Sequence, residues 1–324
     1  MPAPILFNND LEEFKRLSEQ VFTSGIWAKG PLVRQFEEAW SGWNQMDSVA
    51  TSSWAGGAMA ALDYIDVKDE LVLCCSNTAG ATAMVCIKSG AQVDFVDCNK
   101  SDLCMSYESL LEKCAQRKPK AVWITHIGGH IAFQIHEIAS FCKENNIWLL
   151  EDCAHAHGAE WNGIKPGTFG DAGVYSFFAT KSVPIGEGGV LVSKHHEMIN
   201  HARKYIQYGA KEPKPIFGLN FRMSEISAAI GLVQMKHFED HFEHKWSLAK
   251  QLDQRFNQRV ILPIGMKSGY YKYIIFEPVE QALSARVFDV PLHMVFDRDY
   301  SLPNSEWVAK NHWCISVFDY NELF

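Results

Sequence analysis

The 324-residue sequence lacks a cationic excess: 30 Lys and Arg stand against 38 Asp and Glu, a formal net charge of −8, and the basic residues nowhere form a dense run. A phosphate backbone or an anionic membrane surface would find no electrostatic footprint here, so nucleic acid is not an expected partner. Long apolar runs are also missing. None approaches the roughly 20 residues that a bilayer-spanning helix needs, and the opening MPAPILFNND has no basic start followed by an apolar stretch. The expectation is a soluble cytoplasmic chain with no membrane partner. The nine cysteines include no C-x-x-C pair, and Cys74, Cys86 and Cys142 sit inside apolar segments, as reduced core thiols do. The adjacent Cys74 and Cys75 would point to opposite faces of a strand, which argues against a redox pair. Low-complexity segments and internal repeats are absent too, which removes array architectures.

What is present is enough apolar sequence for a large core: 47% of the residues are hydrophobic and 21% charged, in a chain longer than one domain usually runs. Leu11, Phe14, Leu17 and Val21, then Val33, Phe36 and Trp40, recur at helical spacing and predict a helical N-terminal arm. Short apolar runs follow at Leu71 to Cys75, Val93 to Val96, Ala121 to Thr125 and Ile147 to Leu150. Between them lie helical segments at Ala58 to Ile65, Thr82 to Lys88, Tyr107 to Cys114 and Ile135 to Asn145. Strands alternating with helices predict an α/β fold, a mostly parallel sheet flanked by helices. Further strands are expected at Ala172 to Phe177 and Val190 to Ser193, separated by the turn Gly186-Glu187-Gly188-Gly189. A helix from His196 to Tyr208, a long helical stretch from Met223 to about Phe256 and a strand from Tyr270 to Phe276 complete the reading. The domain boundary is placed in that long stretch, giving a large domain over 1–240 and a small C-terminal one over 241–324.

Ligands of open α/β sheets bind outside the carboxyl ends of the strands, and the run ending Leu150-Glu151-Asp152 brings two carboxylates to such an end. Side chains alternate along a strand, so only one can face the site, and Asp152 lies further out. Lys181 stands in Tyr175-Ser176-Phe177-Phe178-Ala179-Thr180-Lys181-Ser182, among aromatic and small residues rather than other charges. Apolar surroundings lower an ammonium's pKa and free the amine to form a Schiff base with an aldehyde. An Asp in the same cavity would keep a pyridine nitrogen protonated. Taken alone, such a lysine is more often a snorkelling surface residue and such an aspartate more often a helix cap.

The longer text EDCAHAHGAEWNGIKPGTFGDAGVYSFFATKSVPIGEGGVLVS, followed by GLNFRMSEISAAIGLVQMK, resembles the DegT/StrS-type family of pyridoxal 5'-phosphate (PLP)-dependent sugar aminotransferases. The resemblance begins at Gly30-Pro31 and runs to about Lys236. It implies the fold-type I PLP-dependent transferase architecture with a smaller C-terminal α+β domain, PLP as cofactor, and Lys181 as its covalent anchor and proton carrier. Asp152 would pair with the ring nitrogen and His155 with the ring hydroxyl. Ser176, Ser53 and the backbone amides of Trp54 and Ala55 would bind the phosphate. Asn220 would reach the phosphate in the partner subunit of a homodimer. The implied reaction moves an amino group from an amino acid, glutamate by expectation, to a keto sugar, a nucleotide-linked 4-keto-6-deoxy sugar in the first instance.

Two local departures accompany the resemblance. Where the family reads Ser-Gly-Thr, this chain has Ser53-Trp54-Ala55, and where an aromatic usually stacks on the ring, it has Ala79, with the Trp54 indole as the candidate replacement. The tail after Pro291-Leu292-His293 matches loosely. Three other readings stay open. A metal could be held by Asp152, His155 and His157, or by His237, His241 and His244 at helix-face spacing, although no metal is expected. A sugar dehydratase of the same family would replace the lysine by histidine. A non-catalytic regulatory relative would keep the fold with an altered phosphate loop.

Overall fold

The computed structural model describes residues 10–209, 216–279, 286–315 and 317; the first nine residues of the opening segment and the end of the tail lie outside them. Helices α1 (Asp10–Ser24) and α2 (Pro31–Asn44) form the N-terminal arm, α2 opening with proline at its first turn. There follow β1 (Asp47–Thr51), α3 (Trp54–Ile65), β2 (Leu71–Cys75), α4 (Gly80–Lys88), β3 (Gln92–Val96), α5 (Tyr107–Gln116), β4 (Ala121–Thr125), α6 (Ile135–Glu144) and β5 (Trp148–Asp152). After the short β6 (Glu160–Trp161) come β7 (Ala172–Ser176), β8 (Gly189–Ser193), α7 (His196–Tyr205), α8 (Glu225–Lys236) and α9 (Phe238–Arg255). The C-terminal part holds β9 (Met266–Lys267), β10 (Tyr273–Ile275), α10 (Leu292–Val295), α11 (Pro303–Asn311) and β11 (Trp313–Ile315).

Seven strands form one sheet in the order β1-β8-β7-β5-β4-β2-β3, and β8 alone runs against the rest. Strands β2, β4, β7 and β8 are buried along their whole length, which is why they read as continuous apolar runs rather than alternating ones. Helices α3, α4 and α7 contribute to the core on one face, around Leu62, Val72, Trp123 and Val174. On the other, Leu73, Val122 and Leu149 meet Ile135 and Ile138 of α6. The arm packs through Phe36 and Trp40 against Tyr175, Phe177 and Phe238. It is held by the buried Glu225, whose carboxylate accepts from the amides of Gly30 and Leu32 at 2.8 Å each and from Val33 at 3.3 Å.

The expected fold class is the one found: a mostly parallel α/β sheet, with a smaller α+β part in which β10 pairs antiparallel with β11. Several boundaries move. The strand β1 was not read in the sequence, because Asp47-Ser48 hides a short segment that becomes a strand only by pairing with β8. The long helical stretch breaks at His237 into α8 and α9. The expected strand from Tyr270 shortens to β10, since Tyr270 adopts a positive φ of 42° and turns the chain first. Helix α7 ends at Tyr205, before Tyr208 at φ 71°. Among the described residues no helix is long and apolar enough to cross a membrane. All nine cysteines are free thiols, and all but the half-buried Cys114 are buried.

Candidate active site

Strand alternation separates the two carboxylates at the end of β5. Glu151 turns to one side, where it accepts from the amides of Gly167 (2.7 Å) and Gly170 (2.6 Å) and bonds His126 Nε2 at 2.8 Å. Asp152 turns to the other. Its Oδ2 accepts from Thr82 Oγ1 at 2.9 Å and its Oδ1 from the Ala154 amide at 3.1 Å. Thr82, in the first turn of α4, meets the Thr78 hydroxyl at 3.4 Å, and Thr78 bonds Thr125 Oγ1 at 2.7 Å, so α4 and the ends of β4 and β5 are tied together around one carboxylate. Burial pushes the Asp152 carboxyl above the usual carboxylate range, and the Ala154 amide and the Lys181 charge pull it back.

Lys181 lies in the turn after β7, its amide bonded to the Phe178 carbonyl. Burial lowers its amine from 10.5 to about 8, against the Asp152 charge, which favours the ammonium, and with the Lys272 charge, which disfavours it. Lys181 and Asp152 therefore share one environment, each charge acting on the other, although no ion pair joins them. The lysine's Nζ stands 4.8 Å from the centroid of the Tyr271 ring.

His155, three residues past Asp152, stacks on that same Tyr271 ring with centroids 4.2 Å apart and planes 19° from parallel. It is buried, its pKa falls well below 6.5 through burial and then the Lys181 charge, and its Nδ1 has no hydrogen-bond partner. A buried, neutral, unsatisfied ring nitrogen costs free energy unless a ligand group reaches it. His157 takes no part in a cluster with Asp152 and His155: its ring is buried against Trp40, Tyr175 and Phe177. That metal reading is corrected by the opposite directions of the two histidines, and among the described residues the three present no common point to an ion. Nor do His237, His241 and His244 form such a group: His237 pairs with Asp10, and His241 lies against Phe242.

The expected phosphate residues converge at another corner. Ser176 ends β7 opposite Gly189 of β8, and Thr51 of β1 faces the same glycine from the other side. The N-terminus of α3 passes over this point so closely that a Cβ on Gly189 would overlap the Ser53 backbone. Ser53 caps α3 with its backbone carbonyl accepting from Gly56 at 3.1 Å and its hydroxyl at 3.4 Å. The helix thus presents the amides of Trp54 and Ala55 beside Ser176, an arrangement suited to an anion. Asn220 stands outside this corner: the adjacent Phe221 carbonyl accepts from Ser52, but the Asn220 side chain is exposed, Oδ1 accepting only from the Arg222 amide at 3.4 Å.

The Trp54 indole is not free to replace the missing aromatic. Its Nε1 donates to the Val174 carbonyl at 3.1 Å and its ring lies against Trp123, which commits it to the core. The aromatic found at the site is Tyr271, which the sequence reading missed, along with Thr82, Thr125 and Lys272. A hydroxyl one turn apart in Thr78 and Thr82 was a legible signal for α4. Nothing local marked Tyr271 or Lys272, which arrive from the C-terminal part of the chain.

Comparison with known proteins gives four findings. The family model described as the DegT/DnrJ/EryC1/StrS aminotransferase family matches residues 8–316. GDP-perosamine synthase of Escherichia coli O157:H7 is 27% identical over 272 residues, 81% of this chain and 73% of that protein. The protein of the same name from Vibrio cholerae is 30% identical over 249 residues, 74% of this chain and 67% of that one. The crystal structure of the aminotransferase TlmJ from Streptoalloteichus hindustanus superposes with a TM-score of 0.87 at 27% identity, covering 97% of this chain and 92% of that chain.

Proposed function

The chain belongs to the DegT/DnrJ/EryC1/StrS aminotransferase family, whose aminotransferases depend on PLP, and from that premise we propose that it moves an amino group from glutamate to a nucleotide-linked 4-keto-6-deoxy sugar. Relatives named for a GDP-linked sugar support the acceptor class. The observation that carries the reading is a half-buried amine at Lys181, lowered to about 8, which shares its surroundings with a buried carboxylate at the carboxyl end of the sheet.

The orphaned His155 Nδ1 and the open helix N-terminus beside Ser176 fit the cofactor. When bound, PLP supplies a covalent attachment point and an electron sink conjugated to the reacting carbon. Lys181 would be the attachment amine and would carry a proton to and from the reacting carbon, a task that suits a group whose pKa lies near the working pH. Asp152 would keep the proton on the ring nitrogen. Thr82 and the Ala154 amide hold its two oxygens in place. The partnerless His155 Nδ1 would meet the ring hydroxyl, and Ser53, Ser176 and the amides of Trp54 and Ala55 would take the phosphate.

Asn220 completes the phosphate site of a second subunit in a homodimer. Its exposed side chain lies among the exposed Tyr208, Phe217 and Leu219, apolar surface that a partner subunit would cover. We also divide the chain into a large unit over 1–240 and a small one over 241–324. In support, α9 begins in the Trp40 core with Phe238 and Phe242 and ends in a separate cluster with Leu252, Phe256 and Ile275. Reduced buried thiols suit a cytoplasmic enzyme supplying polysaccharide biosynthesis. The test incubates the purified protein with PLP, glutamate and a panel of keto sugars and reads aminated product by mass. Protein that never turns yellow with PLP and never yields product overturns the reading.

A further inference from the structure

Lys272 immediately precedes β10, on a segment locked against the catalytic loops. The Lys272 amide donates to the Gly128 carbonyl at 2.9 Å and the Gly269 amide to the Gly129 carbonyl at 2.8 Å. From below, the buried Lys245 ammonium bonds Ser182 Oγ (3.0 Å) and the carbonyls of Gly269 (3.2 Å) and Tyr270 (3.0 Å), which joins this segment to the residue next to Lys181. The backbone around Tyr271 is consequently held, His155 stacks on its ring, and two ammonium groups approach that ring, Lys181 at 4.8 Å and Lys272 at 5.2 Å from its centroid.

The Lys272 side chain makes no ion pair or hydrogen bond among the described residues, and it is half-buried. A second cation placed beside a catalytic amine, with no counter-charge and on a rigid backbone, is held at a cost in repulsion and desolvation. Its Nζ lies over the same Tyr271 ring that Lys181 approaches and His155 stacks on, so the ammonium turns toward these groups and does not snorkel away from them. Such a cost is met by an anion that arrives with a substrate.

We propose that Lys272 is an anion subsite of this pocket, taking a carboxylate or phosphate oxygen of a substrate and thereby setting which amino donor or acceptor is held beside Lys181. The proposal rests on the transaminase reading above and makes Lys272 a specificity-determining residue. Two oxyanion sources share this chemistry, the carboxylates of a dicarboxylic amino donor and the diphosphate of a nucleotide-linked acceptor.

The experiment titrates glutarate and pyrophosphate calorimetrically into the purified full-length protein and into K272M, K272Q and K272R, each first checked for native near-UV circular dichroism. The expected result is that at least one probe binds the wild type, binds K272M and K272Q at least tenfold more weakly, and recovers most of its affinity in K272R. Glutarate sensitivity identifies the donor carboxylate and pyrophosphate sensitivity the acceptor. Kinetics should agree: KM for the matching substrate rises tenfold or more while kcat changes less than threefold. Neither probe binding, or equal binding to wild type and the neutral variants, overturns the subsite. The two readings fail separately. A protein that binds a probe through Lys272 but transfers no amino group sinks the function and leaves the subsite, whereas active enzyme with both KM values unchanged in K272M sinks the subsite alone.

Discussion

Lys181 offers the sharpest quantitative test, because its amine is lowered from 10.5 to about 8 with burial as the main cause. That difference corresponds to about 3 kcal/mol of lost preference for the ammonium, at 1.36 kcal/mol per tenfold change. At pH 7.5 about a quarter of the Lys181 amine would be neutral, against about one in a thousand for an ordinary lysine. The assay labels the cofactor-free protein with a trace of acetic anhydride at a series of pH values and quantifies each acetylated lysine by peptide mass, the exposed Lys88 and Lys118 serving as internal standards. Half-maximal reactivity of Lys181 should fall near pH 8. In D152N it should fall lower still, since the Asp152 charge favours the ammonium. The stability linkage has a definite sign: the unfolded chain holds more protons between about pH 8 and 10.5, so this group's penalty is full below pH 8 and is relieved as pH rises through that window. Half-maximal reactivity of Lys181 near the 10.5 of an ordinary lysine, or a rise in its pKa on loss of Asp152, refutes the reasoning.

Gly129→Ala should lose about 2 kcal/mol or more in urea titration, because φ is 109° there and a Cβ would come within 2.6 Å of the Tyr271 nitrogen; the displaced Tyr271 should also alter Lys181 labelling. Glu225→Ala should cost about 2–4 kcal/mol of unfolding free energy by leaving three amides of the arm without their acceptor, while Lys181 labelling in the surviving folded protein stays unchanged. Asn220→Ala, at an exposed position, should keep stability within about 0.5 kcal/mol yet release PLP faster on dialysis. Retention equal to wild type would remove Asn220 from the phosphate site.

The sequence by itself determined the alternation of strands and helices, because wholly buried strands such as Leu71–Cys75 and Ala121–Thr125 must be apolar throughout, whatever they pair with. Strand phase also singled out Asp152 as a candidate and an aromatic, charge-free setting singled out Lys181, both properties of neighbouring residues, whereas His155 came only with the family resemblance. Tertiary structure alone decided what stands opposite them. Strand β1 exists through its ladder to β8, and the Trp54 indole is claimed by the Val174 carbonyl. Tyr271 and Lys272 reach the lysine because two positive-φ glycines after β4 let a distant segment lie against the sheet's carboxyl end. Local pattern carries periodicity and charge, but not which remote backbone will fit a space that only folding creates.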